Sequence, residues 1–446
     1  MTLYDASAIS SKNVGINING NIQRAGKIFE NQGQHRGRSP SETLEKILPL
    51  AEKCGITRVA NITGLDRIGI PVTSVVRPNS TTLATASGKG LTPEIAIVSG
   101  LMEAIELFHA ENAYLQSLLT PFACLPKKIK KIELATLQLK RNSLFNQEWP
   151  EYWTEGWDIV NQEVVFVPLS SVELKKRKRA GHVSLANFQE DSNGLASGNN
   201  LLEAVCSGML EVIERDAITC IEYAGDEIGY SPRCIDLGTV PFDSIRALLA
   251  QLEDADVSLS LFDCTTDLGI PVYKALIFDS RGEGFGPAGG YGAHLDTEVA
   301  ILRAITEAIQ ARAVVISGSR DDVFRFDLDK IMGSSMSEFR CIENARMKQP
   351  MQDFNLATKT FHDDISVIVN ALSFIGITQV IVVELKCFDA PISVVRVIIP
   401  GLEGYRWKNS YVPRARALRF SQHNKANLTD SPPSQFLHMP AWGRNA

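Results

Sequence analysis

The chain has no run of about 18 apolar residues, the length a membrane-spanning helix needs. Its N-terminus, MTLYDASAISSKNVGINING, carries neither the basic stretch nor the apolar stretch of a secretion signal, so the chain reads as cytoplasmic. Eight cysteines are scattered from Cys54 to Cys387 without a Cys-x-x-Cys, and the seven histidines form no His-x-x-x-His. Those absences argue against a zinc enzyme and leave the cysteines as reduced, small hydrophobes. An excess of positive charge is also missing. With 45 basic and 51 acidic residues the net charge is −6, which argues against a nucleic-acid partner. A phosphate loop of the form Gly-x-x-x-x-Gly-Lys-[Ser/Thr] is absent too, although Ser87-Gly88-Lys89-Gly90 resembles a fragment of one.

What is present is 446 residues, 44% of them hydrophobic, enough for one large α/β domain or two. The stretch Asp191–Ala217, DSNGLASGNNLLEAVCSGMLEVIERDA, organises the rest. Asn193-Gly194 and Ser197-Gly198 read as a turn, and Asn199 or Asn200 can cap the helix that follows. On that helix Glu203, Glu211 and Glu214 fall within a sector of about 80° at 100° per residue, with Arg215 beside them. Leu202, Val205, Met209, Val212 and Ile213 take the other side. Alone, the stretch reads as an amphipathic helix with acidic surface positions. The sharper alternative is a metal–phosphate site, since crowded carboxylates repel unless protons or cations lie between them.

Elsewhere, Ser39–Gly55 reads as a helix with a Ser39/Glu42 capping box, Pro40 in its first turn and a kink at Pro49. Runs at Thr57–Thr63 and Ile70–Val76 read as strands, and SGKG as a loop feeding a helix from about Pro93 to Tyr114. That helix carries Glu103 and Glu106 on one face, with Glu111 further on; two acidic stripes could meet only across a cation. Basic runs at Lys127–Lys131 and Lys175–Arg179 read as solvated loops, with attraction of a polyanion as the alternative. Strands are expected at Val164–Leu169, Val257–Phe262 and Pro271–Ile277. A glycine-rich loop at Gly282–His294 then leads into a helix capped by Asp296. Arg303, Glu307 and Gln310 share a face of it, while Arg312 points elsewhere. Gln379–Leu385 and Ile392–Ile399 read as a hairpin or adjacent buried strands. The pairs Glu103-Ala104-Ile105-Glu106 and Glu211-Val212-Ile213-Glu214 hint at a duplicated α/β unit.

Five ordered segments, 55–80, 87–106, 192–217, 290–312 and 397–404, together resemble the YcaO family of ATP-dependent amide-activating proteins. The resemblance implies an α/β, YcaO-type fold in which mixed sheets and helices enclose a glutamate-lined ATP/Mg2+ site. Residues 1–38, polar and rich in Gly, Asn and Ser, read as an irregular arm, and 421–446 as a Pro-containing tail, which leaves 39–420 as the expected catalytic domain. Carried over by position, Glu103, Glu106, Glu203, Glu211 and Glu214 would hold Mg2+. Asn199 and Arg215 would contact the nucleotide, Arg303 and Glu307 would complete the pocket, and Arg36 and Thr43 would supply a basic and a hydroxyl group. Arg215, Arg303 and Glu307 are thereby the candidate catalytic groups. No role is implied for Gln310 or Arg312.

The implied chemistry is addition of a nucleophile to a backbone amide, phosphorylation of its oxygen by ATP, and loss of phosphate. Azoline-forming members often end in Pro-x-Pro-x-Pro, whereas this chain ends PAWGRNA. Segments GITRVANITGLDRIGIPV and RPNS resemble members paired with a TfuA protein that install thioamides. The expectation is therefore thioamidation of a ribosomally made peptide or a protein, with a TfuA-like partner and an external sulfur donor. Three alternatives stay open: an azoline-forming cyclodehydratase, a non-catalytic ATP-binding accessory protein, and an unrelated globular protein. A homodimer is one assembly open to a chain of this size, and nothing in the residues demands it.

Overall fold

A computed structural model describes residues 15–31, 34–174, 187–280, 286–320, 348–404 and 411–425. The basic run Lys175–Arg179, the first residues of the glycine-rich segment and the tail from residue 426 lie outside the described residues.

Part of the segment expected to be an irregular arm is ordered as two hairpins. β1 (Ile16–Ile18) pairs with β2 (Asn21–Gln23), and β3 (Phe29–Asn31) with β4 (Gln34–Arg36). Buried Lys27 anchors the arm, its Nζ 2.7 Å from Asp364 Oδ2 and donating to Thr358 O. Helix α1 (Pro40–Ile47) starts on the expected capping box, and a single 3-10 turn containing Pro49 follows it.

β5 (Arg58–Asn61), β6 (Val72–Val76) and β7 (Thr85–Lys89) form an antiparallel sheet. SGKG is thus mostly strand, not loop. Helix α2 (Pro93–Asn112) lies so close to β7 that a Cβ on Gly88 would fall 1.9 Å from Ala96 O; the glycine serves helix–strand approach. β8 (Ser117–Pro121), β9 (Lys130–Lys131), β10 (Pro150–Asp158), β11 (Glu163–Pro168) and β12 (Leu195–Gly198) lead to α3 (Leu201–Ile228). Ser197-Gly198, expected in a turn, ends β12, and Asn200 rather than Asn199 caps α3 by accepting from Glu203 N.

β13 (Arg233–Ile235), α4 (Asp243–Asp254), β14 (Val257–Asp263), β15 (Val272–Asp279) and β16 (Ala288–Ala293) precede α5 (Thr297–Ser317). Asp296 caps α5 as expected, accepting from Glu298 N and Val299 N. Much of the glycine-rich segment is strand β16, and a Cβ on Gly290 would lie 2.2 Å from Ala308 N of α5. β17 (Lys348–Gln349), α6 (Phe361–Phe374), β18 (Ile381–Glu384), β19 (Ser393–Ile398) and α7 (Ala415–Lys425) complete the described chain. β18 and β19 pair antiparallel, as their β-branched runs suggested.

Three small-residue strands therefore each precede a helix that packs on them: β7 with α2, β12 with α3, and β16 with α5. A seven-stranded sheet runs β12-β19-β18-β10-β11-β9, with β8 also on β10, and a five-stranded sheet runs β16-β15-β14-β13-β17. Among the described residues, only β9–β11 and β13–β17 are parallel pairs. Helix α3 shares a core with both sheets: Val205, Met209, Val212 and Ile213 cluster with Val395 and Val397 and with Phe262 and Ala293.

That position overturns the amphipathic surface reading of α3. Glu203, Glu214, Arg215 and Asp216 are all buried. Buried charge is costly unless paired, and Asp216 meets Arg416 of α7 at 3.1 Å while Arg416 also reaches Asp267 at 2.5 Å. Burial pushes the Asp216 carboxyl up, against the pull of Arg416. Among the described residues no helix is long and apolar enough to cross a membrane. The mixed α/β class is the one expected.

Candidate active site

Helices α2, α3 and α5, strand β7 and the segment from β4 into α1 wall one cavity of about 260 Å³. α2 contributes Glu103 and Glu106, and α3 contributes Glu203 and Glu211. The facing wall of α5 carries Arg303, Thr306, Glu307 and Gln310. Arg36, Arg38, Thr43 and Asn199 close one side. Period-two alternation turns Thr85, Ser87 and Lys89 of β7 inward together.

Local donors hold three of these acids. Glu106 Oε1 accepts from Ser197 N at 2.9 Å and Ser197 Oγ at 2.6 Å. Glu103 Oε2 accepts from Ser87 N at 3.3 Å. Glu203 accepts from Gly37 N at 3.0 Å and Asn199 Nδ2 at 3.3 Å, and lies 3.5 Å from Arg36 Nη1. Gly37 is needed for that approach, since a Cβ there would lie 2.9 Å from Glu203 Oε2 and 2.7 Å from Asn200 Nδ2. Thr43 Oγ1 is 2.9 Å from Asn199 Oδ1 and so fixes the amide beside Glu203.

Glu214 and Arg215 do not line the cavity. Glu214 accepts from Ala293 N at 3.1 Å, and Arg215 bridges to Glu214 at 3.9 Å and to Glu211 at 3.7 Å, so both connect to the cavity through Glu211. Arg312 is elsewhere, paired with Asp66 at 2.9 Å in a buried contact between α5 and the β5–β6 connection. Glu111, the further acid of α2, is also elsewhere: it takes Arg77 Nη2, Ser80 Oγ and Thr82 Oγ1, which hold its carboxyl low against the burial that would raise it. Glu307 meets Lys89 Nζ at 3.1 Å, a pairing the i,i+4 spacing with Arg303 did not suggest. Lys89, Ser87 and Ser197 were missed because β7 and β12 were read as loops, and an inward period of two would have found the first two; Gly37, between β4 and α1, was missed because that segment was read as an irregular arm.

Among the described residues, no three His, Cys, Asp or Glu side chains are drawn together tightly enough to hold a metal ion. The acids instead ring the cavity. Burial, opposed by Ser197 and reinforced by Glu103 and Glu211, pushes the Glu106 carboxyl up to about 8. Carboxylates this crowded, facing a cavity and accompanied by arginines, fit a hard divalent cation with a polyphosphate: the cation would offset the repulsion from Glu103 and Glu211 that adds to burial in raising the Glu106 carboxyl.

Residues 87–403 match the YcaO family, described as YcaO cyclodehydratase, ATP- and Mg2+-binding. The chain belongs to the YcaO family. An uncharacterised protein in the tfuA 3′ region of Rhizobium leguminosarum bv. trifolii is 34% identical over 392 residues, covering 82% of this chain and 88% of its own. A protein of Methanothermobacter thermautotrophicus is 34% identical over 376 residues, covering 82% and 94%. Among solved structures, YcaO from Methanopyrus kandleri bound with AMPPCP and Mg2+ superposes with a TM-score of 0.64 at 24% identity, covering 84% of this chain and 94% of that one. A heterocyclase in complex with substrate and cofactor gives 0.70 at 22% identity, covering 86% of this chain and 54% of the heterocyclase, so this chain spans about half of it. At these identities the structural likenesses show the fold, which is the YcaO fold expected from the sequence.

Proposed function

We propose that this YcaO protein activates a peptide backbone amide by O-phosphorylation from Mg·ATP, and installs a thioamide in a ribosomally made peptide or protein in the cytoplasm. The observation that carries the reading is the shared cavity: carboxylates from α2 and α3 face arginines from α5 and the β4–α1 segment across a space closed by the N-terminal arm. Glu103, Glu106, Glu203 and Glu211 would hold Mg2+, with Glu214 behind them. Bound ATP supplies the phosphoryl group that turns a poor amide oxygen into a leaving group, with Mg2+ neutralising its phosphates.

The chain's own residues bind and orient. Arg303 and Arg36 would balance phosphate charge, Asn199 and Thr43 would fix the nucleotide, and Arg215 would set the two α3 acids beside it. Buried Glu203 and Glu214 keep their positions through backbone donors, so little reorganisation accompanies binding. Across the reaction the amide C=O becomes C=S; an external sulfide donor supplies the sulfur, and the oxygen leaves on inorganic phosphate alongside ADP.

The tfuA 3′-region relative favours the thioamide product and a TfuA-like partner. The family description and the heterocyclase likeness favour a second reading, azoline formation on Cys, Ser or Thr. Mass spectrometry after incubation with substrate peptide, TfuA-like partner, sulfide and Mg·ATP separates them. Thioamidation raises the peptide mass by the difference between sulfur and oxygen; azoline formation lowers it by one water. An unchanged mass with ADP production absent counts against both and for an accessory role.

A further inference from the structure

Two residues of the cavity wall have no part in the reading above: Lys89, from the segment that resembled a phosphate loop, and Gln310. Gln310 Nε2 donates to Ser87 O at 2.6 Å, while Ser87 N, on the same residue, donates to Glu103 at 3.3 Å. Gln310 Oε1 accepts from Lys89 Nζ at 2.9 Å, and the same ammonium reaches Glu307 Oε2 at 3.1 Å. One continuous set of hydrogen bonds thus runs from Glu307 on α5 to Lys89 on β7, back to Gln310 on α5, then through Ser87 on β7 to Glu103 on α2.

We propose that Lys89 and Gln310 are positioning residues, a paired staple that fixes the Arg303–Glu307 face of α5 against the Glu103 face of α2 at the spacing the nucleotide and its metal require. The chemistry suits the task. An ammonium carries three donors, so it can satisfy a carboxylate and an amide oxygen at once, and the amide's remaining NH2 is left to grip the strand. The Lys89 side chain is only 18% exposed and that of Glu307 9%, so the pair is not the solvent-screened kind that contributes little. The two main-chain groups of Ser87 transmit the position without a further side chain. Arg312, the neighbouring residue without an implied role, serves a separate purpose, tying α5 to Asp66.

The staple rests on the ATP-site reading, and calorimetry on the full chain keeps the two apart. ATP is titrated in the presence of Mg2+ into the wild type, Lys89→Met, Gln310→Leu, the double variant and Lys89→Arg. Affinity and stoichiometry are read separately, because a merely structural defect lowers the bound fraction and leaves the dissociation constant of the folded molecules unchanged. Each single truncation is expected to weaken Mg·ATP binding by about ten- to a hundredfold, the range for losing a charge-assisted hydrogen bond. The double variant should bind no worse than the weaker single, as members of one network do, and Lys89→Arg should recover most of the loss. Unchanged dissociation constants with reduced stoichiometry, or single-variant losses that multiply in the double, overturn the staple while leaving the ATP reading intact. Failure of the wild type itself to bind Mg·ATP overturns that reading, and the staple with it.

Discussion

Glu106 offers the sharpest perturbation because, if it holds Mg2+ as proposed, its proton would compete with the metal. Burial, with Glu103 and Glu211 nearby, lifts its carboxyl from 4.5 to about 8. In the metal-free protein that leaves about 1% ionised at pH 6, about 9% at pH 7 and about half at pH 8. If Mg2+ requires the carboxylate, binding expels this proton. The apparent affinity for Mg·ATP should then rise about tenfold from pH 6 to pH 7, about fivefold more to pH 8, and flatten above that. The stability of the metal-free fold runs the opposite way. A raised folded value gives a contribution fully present below 4.5 and lost as pH climbs through about 8, so adding Mg·ATP should stabilise most at the alkaline end. Calorimetry in buffers of different ionisation enthalpy reads both the affinity and the proton released. Glu106→Gln should bind more weakly with no slope between pH 6 and pH 8. A flat affinity in the wild type, or an unchanged slope in Glu106→Gln, would refute the reasoning.

Two further perturbations test the scaffold. Gly88→Ala places a Cβ 1.9 Å from Ala96 O; denaturant unfolding should show a loss of about 1–3 kcal/mol or more, the cost of overpacking, with ATP affinity falling as α2 is pushed off β7. Asp216→Ala removes a fully buried partner of Arg416 and of Glu403 N, and should cost about 3–5 kcal/mol in the same measurement by leaving a buried charge half-matched.

The acidic pairs on two helices were legible because charge at helical spacing survives any misreading of what comes before. Glu103, Glu106, Glu203 and Glu211 duly share a cavity. The capping box at Ser39 and the cap at Asp296 were legible for the same local reason. The three small-residue strands were not. Glycine reads as punctuation in one dimension, and only the packed helix shows that Gly88 and Gly290 are small to admit backbone rather than to turn it. That error hid Ser87, Lys89 and Ser197, which point inward only if their segments are strands. The burial of most of α3 was equally out of reach, since Arg416 and Asp267, the partners that make room for a buried Asp216, lie far away in the chain.

Carboxylates from separate helices are proposed to hold Mg2+, and with it a triphosphate, in a chain whose sequence has no phosphate loop. Titrating ATP into the wild type and into Glu211→Gln, with and without Mg2+, tests it most directly. Binding is expected to require Mg2+ and to be lost in Glu211→Gln, while that variant keeps the wild-type melting temperature. Equal binding with and without Mg2+, or a Glu211→Gln variant that binds as tightly as the wild type, would contradict it.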